Sequence, residues 1–165
     1  MEQQNKLLER LVTEKATIFW EASEKQLAFL EVMGYSTPER SIKGDSIFFR
    51  SIYLRYRRGM DRMVALSLAP ASIVLDRDDA IVALIHKPRT GMARPKGGWT
   101  HFSLDSYIEA IHPELGSDYS RIPRVADYES AVRDILSIYA RIMEVELKGM
   151  LLGQEWKEGY GVYMA

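Results

Sequence analysis

The sequence predicts an α+β protein: an antiparallel sheet of about four strands packed against a long N-terminal helix and a long C-terminal helix. Three observations carry this. Helical apolar spacing dominates both ends of the chain. Strand-like alternation fills the middle. Strands and helices do not alternate along the chain, as a parallel α/β sheet would require.

At the N-terminus, Leu8, Leu11, Val12, Ile18, Phe19, Ala22, Phe29, Leu30 and Met33 recur at threes and fours, with Glu9, Glu14, Glu21 and Glu24 on the remaining faces. This spacing predicts one amphipathic helix from about Gln3 to Met33, with a break near Thr17 left open. Gly34 then suits a helix terminus, because glycine adopts the left-handed conformation at little cost. The stretch YSTPERSIKGDS reads as punctuation through Pro38, Gly44 and Asp45.

IFFRSIYLRYRR follows, rich in β-branched and aromatic residues. One parity holds Phe48, Arg50, Ile52, Leu54, Tyr56 and Arg58, and should face the core. The other holds Phe49, Ser51, Tyr53, Arg55 and Arg57, and is wetter. RGMD turns the chain at Gly59, and Val64, Leu66 and Leu68 share the buried parity of the returning strand. SIVLDRDDAIVALIHK reads as two more strands with Asp76 to Asp79 as their turn. A basic loop, KPRTGMARPKGGWTH, comes next. Ser103 is a plausible N-cap for a short helix that ends before Pro113. HPELGSDYSRIPR reads as irregular. Asp127 caps the last helix, whose stripe runs through Tyr128, Val132, Ile135, Leu136, Tyr139, Ile142, Met143, Leu147, Met150 and Leu151 towards Gly153.

The 165 residues suit a single domain, 1–165, with a sizeable core. Absence of cysteine excludes disulfides and thiolate metal sites and fits a reducing compartment. The charged N-terminus lacks the apolar stretch of a secretory signal. The longest apolar run, AIVALI at 80–85, is too short to cross a bilayer. The expectation is a cytoplasmic protein with no membrane partner.

The net charge is −1, but it is unevenly spread. Residues 1–35 carry six acids and four bases, and residues 103–159 eleven acids and six bases. Residues 50–62 carry five arginines against Asp61, and residues 87–101 hold Lys87, Arg89, Arg94 and Lys96 with no acid. The middle is the basic part of the chain.

The sequence offers little reaction chemistry. GMARPKGG lacks the Gly-Lys-Ser/Thr of a phosphate loop. The three histidines show no paired spacing on one element, and His-Glu-x-x-His is absent. Gly-x-Ser-x-Gly is absent too. Glu144 and Glu146 lie about 200° apart on a helix and cannot pair as acid and base. Asp76, Asp78 and Asp79 could hold a hard cation, but a polar turn between apolar runs explains them more cheaply. A binding protein without catalytic residues, metal or cofactor is expected. Its contact residues are Arg55, Arg57, Arg58, Arg94, Lys96 and Trp99. Arginine and tryptophan are enriched where interfaces concentrate their energy. Each has a structural counter-reading: Arg55 and Arg57 on the solvated face of a strand, Trp99 as a loop anchor.

The segment ESAVRDILSIYARIMEVELKGMLLGQEW, with Leu136, Tyr139, Ala140, Leu152, Gly153 and Trp156, resembles a helix type of small bacterial proteins. There Leu-x-x-Tyr-Ala precedes Leu-x-Gly and an aromatic residue. FLEVMGY at 29–35 resembles their entry into an antiparallel sheet. On these residues the chain is similar to immunity proteins of polymorphic toxin systems and to related small α+β domains. The resemblance implies a protein partner, a cognate toxin neutralised by occlusion of its active site or substrate path. It implies no catalytic residue. The alternative is a nucleic-acid or phosphate binder that uses the same basic middle.

Overall fold

Alternating burial organises the middle of the chain. A computed structural model describes residues 1–44, 50–70, 78–88, 99–124 and 127–161, with Trp99 described by its backbone alone. Strands β1 (Glu39–Lys43), β2 (Ser51–Arg58), β3 (Arg62–Ala69), β4 (Asp79–Pro88), β5 (Trp99–Ser103) and β6 (Arg121–Ile122) form one sheet. All pairings are antiparallel, in the order β1-β2-β3-β4-β5, with β6 on β4. Ala80 pairs with Ala69 on one side and Arg121 on the other, so β5 and β6 share one side of β4, end to end.

The inner face carries Ile52, Leu54, Tyr56, Val64, Leu66, Leu68, Ile81, Ala83, Ile85 and Phe102, all essentially removed from solvent. Each large aliphatic or Phe side chain among them contributes about 1.5–3 kcal/mol by leaving water. Helices α1 (Glu2–Gln26) and α4 (Tyr128–Val145) pack together. They supply Ala16, Phe19, Val132, Leu136, Tyr139, Ile142 and Met143 to the same core. Helix α3 (Leu104–Ile111) starts where predicted, with the Ser103 hydroxyl accepting from the Ser106 N–H at 3.1 Å. Asp127 caps α4 in the same way, accepting from Ser130 N–H at 3.3 Å.

The α+β class is the predicted one; several elements differ. The N-terminal helix runs unbroken past Thr17 and stops at Leu27, after which α2 (Phe29–Val32) forms a single turn. The stop lets Leu27 and Leu30 both bury completely. Gly34 sits at φ 94° just beyond α2, the position expected of a helix-ending glycine. The C-terminal helix breaks at Glu146–Leu147, and α5 (Lys148–Leu151) is a separate turn. The break turns Leu147, Met150 and Leu151 into the core together.

Residues 39–43 are strand β1 rather than punctuation. The loop foreseen from Lys87 to His101 is strand at both ends, Lys87 pairing with Thr100 and His86 with His101. The stretch HPELGSDYSRIPR contains a 3₁₀ turn (Pro113–Leu115) and β6. Asp79 is not a turn residue. It opens β4, is 5% exposed, and accepts from Lys15 Nζ and the Tyr128 hydroxyl, each at 2.7 Å. The strand foreseen at 72–75, with Asp76, lies outside the described residues.

Candidate functional site

The core and the helices occupy one side of the sheet; on the other parity, the outer face, the described side chains are mostly half-buried or exposed, with His86 and Ser103 buried. Strand pairing arranges these in rows, because directly opposed residues of antiparallel strands point the same way. One row reads Arg57, Met63, His86, His101. The next reads Glu39, Arg55, Ala65, Leu84, Ser103. A third reads Ser41, Tyr53, Ser67, Val82.

Tyr53 is flanked by two cations. The Arg55 guanidinium lies 5.1 Å and the Lys43 ammonium 5.9 Å from its ring centroid. This geometry attracts a cation to the negative face of the ring. Arg57 reaches Glu39 at 3.4 Å. Three cations therefore share this patch with one carboxylate. Beside them Val82 is 40% exposed, a large apolar side chain on a central strand.

His86 and His101 approach each other through their Nδ1 atoms, with ring centroids 4.5 Å apart and planes nearly perpendicular. His86 is 6% exposed. Burial, helped by His101, Arg55 and Arg57, pushes its pKa down to about 4, so it is neutral at pH 7.

Of the six residues expected to bind a partner, Arg55 and Arg57 stand on this outer face. Trp99 occupies the outer-parity backbone position opposite Pro88. Arg94 and Lys96 lie outside the described residues. Arg58 points the other way. It donates to the Met33 carbonyl at 3.2 Å, the Leu152 carbonyl at 3.1 Å and Asp61 at 2.9 Å. Its partner across the hairpin, Arg62, donates to the Met150 carbonyl at 2.8 Å. The arginine run is thus divided by strand parity: two cations to the surface, two to the carbonyl ends of α2 and α5.

Lys43 and the histidine pair were not singled out from sequence. Lys43 joins the site only through the β1–β2 register. The histidines stand fifteen positions apart, and a register across a hairpin is what unites them.

Two other polar clusters have structural explanations. Between β5 and β6 the ladder on β4 is interrupted; the Ile81 N–H donates to the Ser120 carbonyl at 3.0 Å, and side chains fill the rest of the gap. Asp105 accepts from the Ala83 N–H at 3.4 Å, while the single proton of the Tyr139 hydroxyl is shared between two acceptors, Asp105 at 2.6 Å and the Ile81 carbonyl at 2.9 Å. Tyr119 also donates to Asp105. On the surface, His112 bridges Glu146 at 2.8 Å and Glu114 at 3.1 Å, and the Tyr107 hydroxyl donates to Glu146 at 2.9 Å. This cluster ties the end of α3 to the end of α4.

A groove of about 450 Å³ lies among Phe29, Val32, Met33, Glu144, Lys148 and Leu152. Among the described residues, no three or more His, Asp or Glu side chains are arranged around a metal position. No described helix is long and apolar enough to cross a membrane. Comparison with known proteins gives no match: no family model, no curated protein and no solved structure is similar to this chain.

Proposed function

We infer that this chain acts by binding another protein through the outer face of its sheet, as an immunity-like inhibitor that covers a toxin's active site or substrate path in the cytoplasm. The observation that carries the reading is the patch around Tyr53, with Arg55 and Lys43 on its ring and Val82 two strands away in the same row. An aromatic anchor beside arginine, on a partly apolar surface, has the composition of an interface centre. The cation excess among Lys43, Arg55, Arg57 and Glu39 favours an acidic partner and speeds encounter with it.

A second reading rests on the same tyrosine. A ring between two cations also suits a stacked base with neighbouring phosphates, as in single-strand binders. Salt separates the two readings. Binding to a polyphosphate falls log-linearly and steeply with salt, whereas an interface built on apolar and aromatic anchors responds weakly.

The test is capture of the partner from the native cell by tagged protein, followed by affinity measurements on the purified pair. Tyr53→Ala should weaken binding by about 2 kcal/mol or more with an unchanged Tm. The partner's activity should vanish at saturation. A partner that keeps its activity when saturated contradicts the inhibitory reading. A captured species that is nucleic acid replaces it with the second.

A further inference from the structure

The sheet ends differently on its two sides. Beyond β5, the Ser103 N–H donates to the Tyr160 carbonyl at 2.7 Å, and the Tyr160 ring packs against Phe102 with centroids 5.5 Å apart. The returning chain thus closes part of that edge. Beyond β1 nothing comparable occurs: among the described residues, only β2 forms main-chain hydrogen bonds to Glu39–Lys43. Alternate N–H and C=O groups of an edge strand point away from its sheet and template a further strand.

We propose that β1 pairs antiparallel with β1 of a second copy of this chain, about a two-fold axis at Ser41, so that two sheets run on as one. Such pairing is independent of which macromolecule the outer face binds.

Charge selects this occupant. Pairing about Ser41 opposes Glu39 to Lys43 of the second copy, Lys43 to its Glu39, and Arg40 to its Ile42. Glu39 and Lys43 are exposed, and they share the outer parity of Arg55 and Ser51. Directly opposed unlike charges favour a strand pair, and like charges oppose it. Within its own chain Glu39 has only the 3.4 Å contact with Arg57. Arg40 lies on the core parity and is already compensated: it donates to Glu24 of α1 at 2.6 Å, with its guanidinium 5.4 Å from the Trp20 ring centroid.

Other registers lose this match. A slip of one residue sets the outer face of one copy beside the core face of the other, with the helices on opposite sides. A register centred on Arg40 opposes the two arginines, and one centred on Ile42 sets Lys43 against Ser41. Neither keeps a Glu–Lys pair.

Size sets the strength. Five residues a side are far fewer than the roughly 20–30 of a standard interface, so the dimer is weak and depends on concentration. Its consequence lies on the outer face. The row Ser41, Tyr53, Ser67, Val82 continues through the axis into the same row of the second copy, which brings two Tyr53 patches onto one surface. A partner that contacts both gains by avidity.

The chain has no cysteine, so single introduced cysteines report the register. Opposed Cα atoms of antiparallel strands lie roughly 4.5–5.5 Å apart, within disulfide reach, whereas residue 39 and its copy would stand roughly 14 Å apart. Ser41→Cys should therefore cross-link to itself under mild oxidation about tenfold faster or more than Glu39→Cys or Lys43→Cys alone, and a mixture of the last two should cross-link to each other. In sedimentation equilibrium the wild type should move from the monomer mass towards twice that value between about 10 µM and about 1 mM. Glu39→Lys should weaken association about tenfold or more, and adding Lys43→Glu to the same chain should restore it. If a variant fails to fold, wild-type sedimentation decides. A wild type still monomeric at about 1 mM overturns the proposal and leaves the edge to a strand of another protein. Equal cross-linking at all three positions, or a double variant as weak as the single one, overturns it too.

Discussion

Arg62 of the β2–β3 hairpin donates through Nε to the main-chain carbonyl of Met150, 88 positions later in the chain, at 2.8 Å. Arg62 is 8% exposed, and it also bonds to the Asp61 carbonyl. Its guanidinium lies 5.5 Å from the Trp156 ring centroid. A residue that composition assigns to a basic surface is therefore a tie between the hairpin and α5. Arg62→Ala should lower stability by about 1.5–3 kcal/mol, because it removes a charge-assisted hydrogen bond in a buried place, leaving the Met150 carbonyl only the Gly153 N–H at 3.2 Å. Urea unfolding with an unchanged m-value checks this. A loss under about 0.5 kcal/mol, typical of an exposed site, would show that the tie contributes little.

Tyr139→Phe tests the polar plug of the sheet. The hydroxyl proton is shared between Asp105 and the Ile81 carbonyl, and the ring is completely buried. Removing one oxygen creates almost no cavity, so the cost isolates the hydrogen bonds. It should be about 1–3 kcal/mol. Amide exchange at residues 81–83 should accelerate more than at residues 64–66, which pair with β2 and β4. Uniform acceleration would point to global destabilisation instead.

The His112 cluster predicts a pH dependence. Its hydrogen bond to Glu146, then that to Glu114, raises the His112 pKa above the ordinary 6.5. A raised pKa in the folded state means stability that is fully present below pH 6.5 and lost as pH rises through the folded value. The Glu114 pKa is lowered by its own backbone N–H and then by His112, so its contribution is lost only as pH falls below the ordinary 4.5. The cluster therefore stabilises most between those limits. Tm in wild type minus Tm in His112→Gln, followed from pH 5 to 9, should shrink on the alkaline side. A difference independent of pH would refute the ion pair.

His86 acts with the opposite sign. Its folded pKa is depressed to about 4, chiefly by burial, so the unfolded chain takes up a proton first. The stability this group contributes is present above pH 6.5 and is lost as pH falls towards 4. His86→Gln should flatten the acid limb of the stability profile, while His112→Gln flattens the alkaline side. Identical profiles in both variants would contradict the two environments.

What the sequence revealed was local chemistry. Ser103 and Asp127 could be recognised as caps because a cap joins a side chain to an N–H three residues on. The burial of Ile52, Leu54 and Tyr56 followed from alternation, which needs no knowledge of the neighbouring strand. What escaped depends on pairing partners far away. β6 is two residues long and exists because Asp79 and Ala80 offer it an edge. β1 is polar and short, so it lacks the apolar alternation that marks β2. Asp79 looked like a turn residue because its counterion, Lys15, is 64 positions away on α1. Within the candidate site, Arg55 and Arg57 could be read from parity. The roles of Lys43 and of the histidine pair depend on register.

Measuring the affinity of the isolated partner for Arg55→Glu, alongside wild type, bears most directly on the proposed role of the outer sheet face. Arg55 is half-buried in that face, pairs with Ala65 and stands over Tyr53. The account predicts weakening of about a hundredfold or more towards an acidic partner, with Tm changed by less than a few degrees. Equal affinity for the two proteins would contradict it and move the binding surface elsewhere on the molecule.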